Sequence, residues 1–500
     1  MYKLDMGTEI STILNSGMQG ISVRVECQMT NGLPSFIIVG SASHTITESK
    51  ERVRNAILSS ELHYPRQKIT INLAPADLPK SGTSLDLPIA VAILQASGQL
   101  QLKDVASHIF IGELGLDGNV QPIRGVIGML LAVKDRSGVI FVLPRGNLEQ
   151  AQQVKDARIV AISHIRELAN GLPEVSSPVH EISSNVTDSE TLLEDIRGQN
   201  QAKRALLVAA AGGHNILLHG VPGSGKTLLA KALSGLLPPP NLRERLEITQ
   251  LHSLAEDTYS SVHRVRPLRS PHHSASHISI VGGSGSLKPG EISLSHNGIL
   301  LMDELPEFSR QTLEALRQPL EEHCIDISRV RGTVRLPADF ILVGTANPCP
   351  CGYYGSSMQC SCPAYAIERY RHKLSGPILD RIDLHIGVEP IDNRFLLEPR
   401  LDGATTHTIR EMVAATRKRQ FVRNGAGVLN SRIPDRNLRA ALNITNQAKQ
   451  LLDDAASNLG LSARSYMRVL RTSLTIADLD DSSKVQDKHI AEALQYRQRY

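Results

Sequence analysis

Residues 220 to 227 read GVPGSGKT: Gly220, Gly223 and Gly225, spaced by Val221, Pro222 and Ser224, then Lys226 and Thr227. Glycines at this spacing let backbone N–H groups close around phosphate oxygens at a helix N-terminus. The lysine then reaches the β- and γ-phosphates, and the threonine hydroxyl holds Mg²⁺. A glycine-rich turn can match the same pattern without a ligand, so the flanks decide. "NILLH" before it is an apolar strand and "TLLAKALSGLL" after it is a helical stretch, the strand–loop–helix context that a phosphate-binding loop needs. Farther on, the apolar run "GILLMDELPEF" ends in Asp303 and Glu304. An acidic pair at a strand end is alone often a solvated turn. Paired with the upstream loop, Asp303 is expected to position the Mg²⁺ shell and Glu304 to polarise an attacking water. A third apolar strand, "DFILVGTANP", ends in Asn347, where an amide can meet the γ-phosphate or the water. The chemistry is that of a Mg²⁺–ATP site.

A second constellation follows at once. "NPCPCGYYGSSMQCSC" holds four of the six cysteines, Cys349, Cys351, Cys360 and Cys362. Four thiolates complete a tetrahedral zinc site and leave no open position for catalysis. The C-x-C spacing is tighter than that of most such sites, and a regulated disulfide is the rival reading. Zn²⁺ in a structural role is the expectation. His372 is either a spare ligand or a helix-surface histidine. The adjacent His272 and His273 in "RPLRSPHHSASH" should point in different directions, which argues against a metal there.

These groups must be held by elements that the rest of the chain supplies. Five hundred residues imply more than one domain. Clustered cysteines, no secretory leader and no apolar run long enough to span a bilayer point to a cytoplasmic chain without membrane contact. A net charge of +4 neither demands nor excludes nucleic acid, and the absence of Trp argues against base-stacking platforms. "ISVRVECQM", "SFIIVG" and "KITINLA" read as strands. "TESKERVRNAILSSE" reads as an amphipathic helix with Val53, Ile57 and Leu58 on one face. The fold class is α/β. Residues 1–172 form one domain, 173–193 a Ser/Pro-rich linker, 194–390 a P-loop αβα core and 391–500 a helical region.

The phosphate-binding loop, "GEISLSHNGILLMDELPEF", "GTANPCPCG" and "SGPILDRIDLHI" together resemble the AAA+ ATPases related to the magnesium-chelatase ATPase subunit, and within them the ComM/YifB branch, over nearly the whole chain. That resemblance implies a homo-oligomeric ring, hexameric in relatives. It makes Asn347 sensor 1, Arg381 an arginine finger offered to a neighbouring subunit, and Arg464 in the helical lid sensor 2. The plainer role for Arg381 is an ion pair with Asp380 or Asp383, and Arg317 is the reserve finger. A hairpin turning near Arg331 would offer Arg329, Arg331 and Arg335 to DNA phosphates in the ring pore, with Lys288 on a glycine-rich loop beside them; each could equally be a solvated charge. The implied function is an ATP-dependent DNA motor, a branch-migration helicase acting on recombination intermediates during natural transformation, with a recombinase as a further partner.

The resemblance also makes residues 1–172 a Lon-protease-like (ribosomal S5 domain-2-like) α+β domain. Ser84 falls near the family's catalytic serine, whereas Ile127 stands where the lysine is expected and Lys134 lies too far along. Without an amine to take the serine proton the dyad cannot work, so a Lon-like protease is the weaker alternative. The other alternative is the ATPase subunit of a metal-insertion complex of the magnesium-chelatase type.

Overall fold

The computed structural model describes residues 8–40, 44–76, 83–102, 104–133, 135–136, 138–175, 191–255, 261–283, 288–329, 332–374, 376–390 and 405–497. Most of the expected linker, together with Lys134 and Arg331, lies outside them. The chain divides into two compact units, Met1–Ser184 with Leu242–His263, and Asn185–Asn241 with Arg264–Tyr500.

The first unit is built on a seven-stranded mixed sheet. In chain order its strands are β1 (Thr8–Ser16), β2 (Gln19–Thr30), β3 (Ser35–Val39), β4 (Lys68–Ala74), β5 (His108–Phe110), β6 (Ile140–Pro144) and β7 (Arg158–Ile162). They lie in the order β3-β4-β2-β1-β5-β6-β7. The period of two shows in β2, where Val23, Val25 and Cys27 are buried while Arg24 is exposed. The helix Asp86–Ala96 is apolar on all sides and buried over residues 86–94. Its buried Asp86 is tolerated because Arg52 Nε lies 2.7 Å from the carboxylate. The helix His44–Ser59 departs from expectation in its facing. Val53, Ala56 and Ile57 are buried, but Leu58 is half exposed. The i, i+3, i+4 stripe from Val53 turns Leu58 out of the core.

The segment that follows the phosphate-loop helix also belongs to this unit. The helix Leu242–Ala255 donates from Gln250 Nε2 to Met18 O (2.5 Å), and Ser253 Oγ accepts from Gly125 N (3.2 Å). Gly128 permits the approach, since a Cβ there would lie 2.1 Å from Gln250 Nε2.

The second unit carries a five-stranded, all-parallel sheet. Its strands are β8 (Ile216–His219), β9 (Leu268–Arg269), β10 (Ile299–Met302), β11 (Ile341–Ala346) and β12 (Leu384–Gly387), in the order β9-β10-β11-β8-β12. The first of these strands thus lies between the fourth and the last. The chain leaves β8 for β9 at one edge and leaves the adjacent β11 for β12 at the other, and such a reversal of strand order opens a crevice at the carboxyl ends of the strands.

The helices Thr406–Asn424, Asn446–Leu459, Ala463–Leu479 and Asp487–Gln495 share one apolar core with the sheet. Arg417 donates to Ala210 O (2.9 Å) and Arg410 to Gly235 O (2.7 Å). Both occupy carbonyls in the last turns of neighbouring helices. The stretch 435–459 is two helices: Asp435–Ala441 ends, and Thr445 caps a new helix by accepting from Ala448 N. Among the described residues no helix is long and apolar enough to cross a membrane.

Candidate nucleotide-binding site

The phosphate-binding loop leaves β8 and enters the helix Lys226–Leu236. Gly223 and Gly225 have φ of +78° and +89°, with open space where a Cβ would stand. Backbone conformation, not crowding, is what requires glycine there. Lys226 Nζ donates to the carbonyls of Gly220 and Val221, 2.8 Å each. Burial lowers its pKa, and Asp303 and Glu304 oppose that shift.

Strand register brings the acidic pair to the same place. Met302 of β10 pairs with Gly344 of β11, and Leu218 of β8 pairs with Thr345. Asp303 therefore stands level with Thr345, one strand from the loop. Thr227 Oγ1 lies 3.2 and 3.1 Å from the two oxygens of Asp303. An octahedral Mg²⁺ with ligands at about 2.1 Å sets cis oxygens roughly 3.0 Å apart, so this pair fits two of its positions. Glu304 adopts a left-handed backbone (φ 54°), uncommon outside glycine, and its N–H donates to Thr345 Oγ1 at 2.9 Å.

Thr345 was not foreseen. Its hydroxyl also donates to Asp303 Oδ1 (2.5 Å), so one buried side chain fixes both carboxylate residues. The clue lay in "GTANP", where Thr345 stands in the last residues of β11 before Asn347, at the carboxyl end of the strand that reaches the site. His273 Nδ1 lies 3.8 Å from Glu304 Oε2. The expectation that His272 and His273 diverge is corrected, because their rings lie 4.1 Å apart. The 272–274 turn brings them together, with His272 Nδ1 hydrogen-bonded to Ser274 Oγ at 2.7 Å.

Asn347 follows β11, and Gly220 N donates to Ala346 O (3.2 Å), which brings the backbone just before Asn347 against the loop. Arg381 is buried, and its partner is neither Asp380 nor Asp383 but Glu321, at 2.5 Å. Arg464, at the start of the helix Ala463–Leu479, binds the same Glu321 oxygen at 2.9 Å. Asp383 instead faces Arg468 and His214. Arg317 is paired with Glu314 (2.8 Å).

The four cysteines converge. Cys349 and Cys351 sulfurs are 3.4 Å apart, Cys349 and Cys360 3.7 Å, Cys351 and Cys360 3.5 Å, and all four lie within 4.8 Å of one another. Sulfurs ~2.3 Å from a tetrahedral zinc would be separated by roughly 3.8 Å. Backbone N–H groups of Cys351 and Tyr354 point at Cys362 and Cys349 sulfurs, 3.3 Å each. The N–H of Tyr353 draws Cys351 down to about 5. Against an N–H from Cys362, desolvation and the neighbouring sulfurs push Cys360 up to about 12. Four sulfurs this close ionise together only around a cation. His372 is an exposed helix residue 3.7 Å from Glu368 and is not in the cluster.

The expected DNA contacts are unevenly placed. The hairpin forms as Cys324–Arg329 and Gly332–Pro337, but Arg331 and the Arg329 side chain are not described. Arg335 is turned back on its own hairpin, 2.9 Å from Glu322 and 3.6 Å from Asp326. Lys288 borders the glycine-rich loop and accepts from Gly283 N through its carbonyl. In the first unit, Ile127 is fully buried in the apolar helix Val126–Leu131, so no ammonium occupies that position.

A parallel sheet with its first strand between the fourth and last, a phosphate-binding loop and an acidic strand end define a P-loop domain of the AAA+ class. Residues 192–396 match the family described as "Magnesium chelatase, subunit ChlI", residues 25–147 "Subunit ChlI of Mg-chelatase", and residues 403–497 the ChlI C-terminal family. The chain is 41% identical over 489 residues to the competence protein ComM of Haemophilus influenzae, covering 96% of this chain and 95% of that one. It is 39% identical over 488 residues to YifB of Salmonella typhimurium, with 96% and 95% covered. A short stretch of 82 residues is 35% identical to an archaeal Lon protease of Archaeoglobus fulgidus, covering 16% of this chain and 12% of that one. The chain belongs to the magnesium-chelatase-like AAA+ family, in its ComM/YifB branch. Membership implies ATP and Mg²⁺.

Proposed function

We propose that this chain is an ATP-driven, ring-forming motor that moves branch points in DNA. The observation that carries the ATPase reading is the set Thr227–Asp303–Thr345–Glu304, held at one end of the parallel sheet beside Lys226. Lys226 and the loop amides bind the phosphates. Thr227 and Asp303 hold Mg²⁺, which neutralises charge on the phosphate oxygens when bound. Glu304 orients the water and accepts its proton, and Asn347 steadies the γ-phosphate. Zn²⁺ in the four-cysteine site is structural. Likeness to a protein named for competence supports DNA as the partner, with Lys288, Arg329, Arg331 and Arg335 as the proposed phosphate contacts, Arg335 only after leaving Glu322 and Asp326.

The direct test is a three- or four-strand junction incubated with the purified chain. Branch movement that requires ATP is expected, and failure to move any junction despite active hydrolysis would refute the motor. The family names favour one second reading, a subunit of a metal-insertion complex. That reading predicts hydrolysis indifferent to single-stranded or branched DNA, whereas the motor predicts stimulation.

In the motor, Arg381 leaves Glu321 and meets the nucleotide of the next subunit. Arg381→Ala should then bind ATP normally yet hydrolyse it about 10³-fold more slowly. Mixing it with Glu304→Gln chains should restore part of the activity, because some interfaces regain an intact finger and an intact glutamate. Normal turnover by Arg381→Ala alone would leave Arg381 as an intrachain partner of Glu321 only.

A further inference from the structure

The cysteine segment touches the phosphate-binding loop at two points. At its root, Ala346 O accepts from Gly220 N. Inside the cluster, Gly352 lies between Cys351 and Tyr353 with φ +88°, and its N–H donates to Cys349 O (3.0 Å). Its backbone packs on the ring of Pro222, so that a Cβ at Gly352 would lie 2.4 Å from Pro222 Cγ and 2.6 Å from Cδ. Pro222 is the third residue of the phosphate-binding loop. The sulfur cage therefore determines where Gly352 sits, and Gly352 backs the loop.

Resting on the nucleotide and zinc readings above, we propose that a thiophilic divalent cation of the zinc class in the Cys349–Cys351–Cys360–Cys362 site sets the nucleotide affinity of the chain by holding Gly352 against Pro222. The cation ties Cys349 and Cys351 to Cys360 and Cys362 across the intervening turn, and the tight turn at Gly352 is fixed between the first pair and that tie. Without the cation the four side chains lose their common anchor, and the surface behind Pro222 is free to move. The loop amides then lose the curvature that phosphate binding needs. The metal takes no part in hydrolysis, because four sulfurs close its coordination sphere.

The test uses the full chain under reducing conditions. Zinc is removed with a zinc-selective chelator, counted by mass spectrometry and added back, while a fluorescent ATP analogue with excess Mg²⁺ reports affinity. Removal should weaken binding at least about tenfold, and Zn²⁺ should restore it. Gly352→Ala should keep one zinc per chain yet bind the nucleotide more weakly, because its methyl group meets Pro222. Met358→Ser, on the exposed part of the same segment, should keep both metal and affinity. Thermal melts without nucleotide verify that each sample is folded. Equal affinity with and without zinc, or full affinity in zinc-loaded Gly352→Ala, would overturn the coupling while leaving the nucleotide site standing. A chain that neither carries nor takes up zinc would overturn the metal reading. A zinc-loaded chain that binds no nucleotide would overturn the functional reading, and this proposal with it.

Discussion

Glu304→Gln should bind Mg²⁺–ATP as the parent does and hydrolyse it about 10²- to 10⁴-fold more slowly, the range of a lost general base. The substitution preserves size and the backbone N–H that anchors Glu304 to Thr345. It removes only the carboxylate that accepts the water's proton. Asp303 is untouched and still paired with Thr227 and Thr345, so the metal position survives and binding should not change. Filter binding of labelled ATP beside single-turnover hydrolysis separates the two quantities. Weakened binding with hydrolysis lowered in proportion would mean that Glu304 belongs to the metal shell, and undiminished turnover would remove it from the chemistry. The left-handed backbone of Glu304 adds a structural reason to expect specificity. That conformation is costly for a side-chain-bearing residue, and here Thr345 holds it in a fixed direction relative to the loop.

The parts of this site that the sequence announced are those whose chemistry is local. Gly220 to Thr227 form a contiguous loop between a strand and a helix, so spacing alone specifies them. Asp303, Glu304 and Asn347 terminate apolar strands, and a parallel sheet brings such ends together. Thr345 escaped because a threonine inside a strand looks like β-propensity, and only register places it between the two acids. Glu321 escaped for a different reason. It lies at the end of the helix Arg317–Glu322, 60 residues from Arg381, and pairing at that separation leaves no trace in local pattern. Leu58 shows the same limit inside one helix, where Val53, Ala56 and Ile57 fill the core-facing stripe and leave Leu58 beyond its edge. The capture of Leu242–Ala255 by the first unit was hidden too, because its attachments, Gln250 and Ser253, are polar residues without a motif.

Asp383→Ala is expected to be the most damaging single change to stability in the second unit, about 3–5 kcal/mol, the cost of breaking a buried ion pair. Asp383 is 5% exposed and faces the partly buried Arg468 and the buried His214, while its Oδ2 accepts from Asn215 N at 3.1 Å. Truncation strands a guanidinium and a backbone N–H in the core. The same contacts tie the sheet to the helix Ala463–Leu479, and Arg468 also donates to Arg381 O (3.0 Å). Loss of Asp383 should therefore loosen the Arg381 segment as well as the helix. Burial opposes the charge of Asp383, yet Arg468 and His214 hold its carboxyl far below the ordinary carboxylate range. A depressed folded-state pKa stabilises above the unfolded value of about 3.9 and loses that contribution as pH falls below it. The stability difference between the parent and Asp383→Asn should thus be constant at neutral pH and shrink as pH drops through that value. Urea denaturation of both proteins across the acid range measures it. A difference that grows toward low pH would show that the carboxylate is not held ionised by Arg468 and His214, and a loss under about 1 kcal/mol for Asp383→Ala would mean that water reaches the site and rescues the stranded groups.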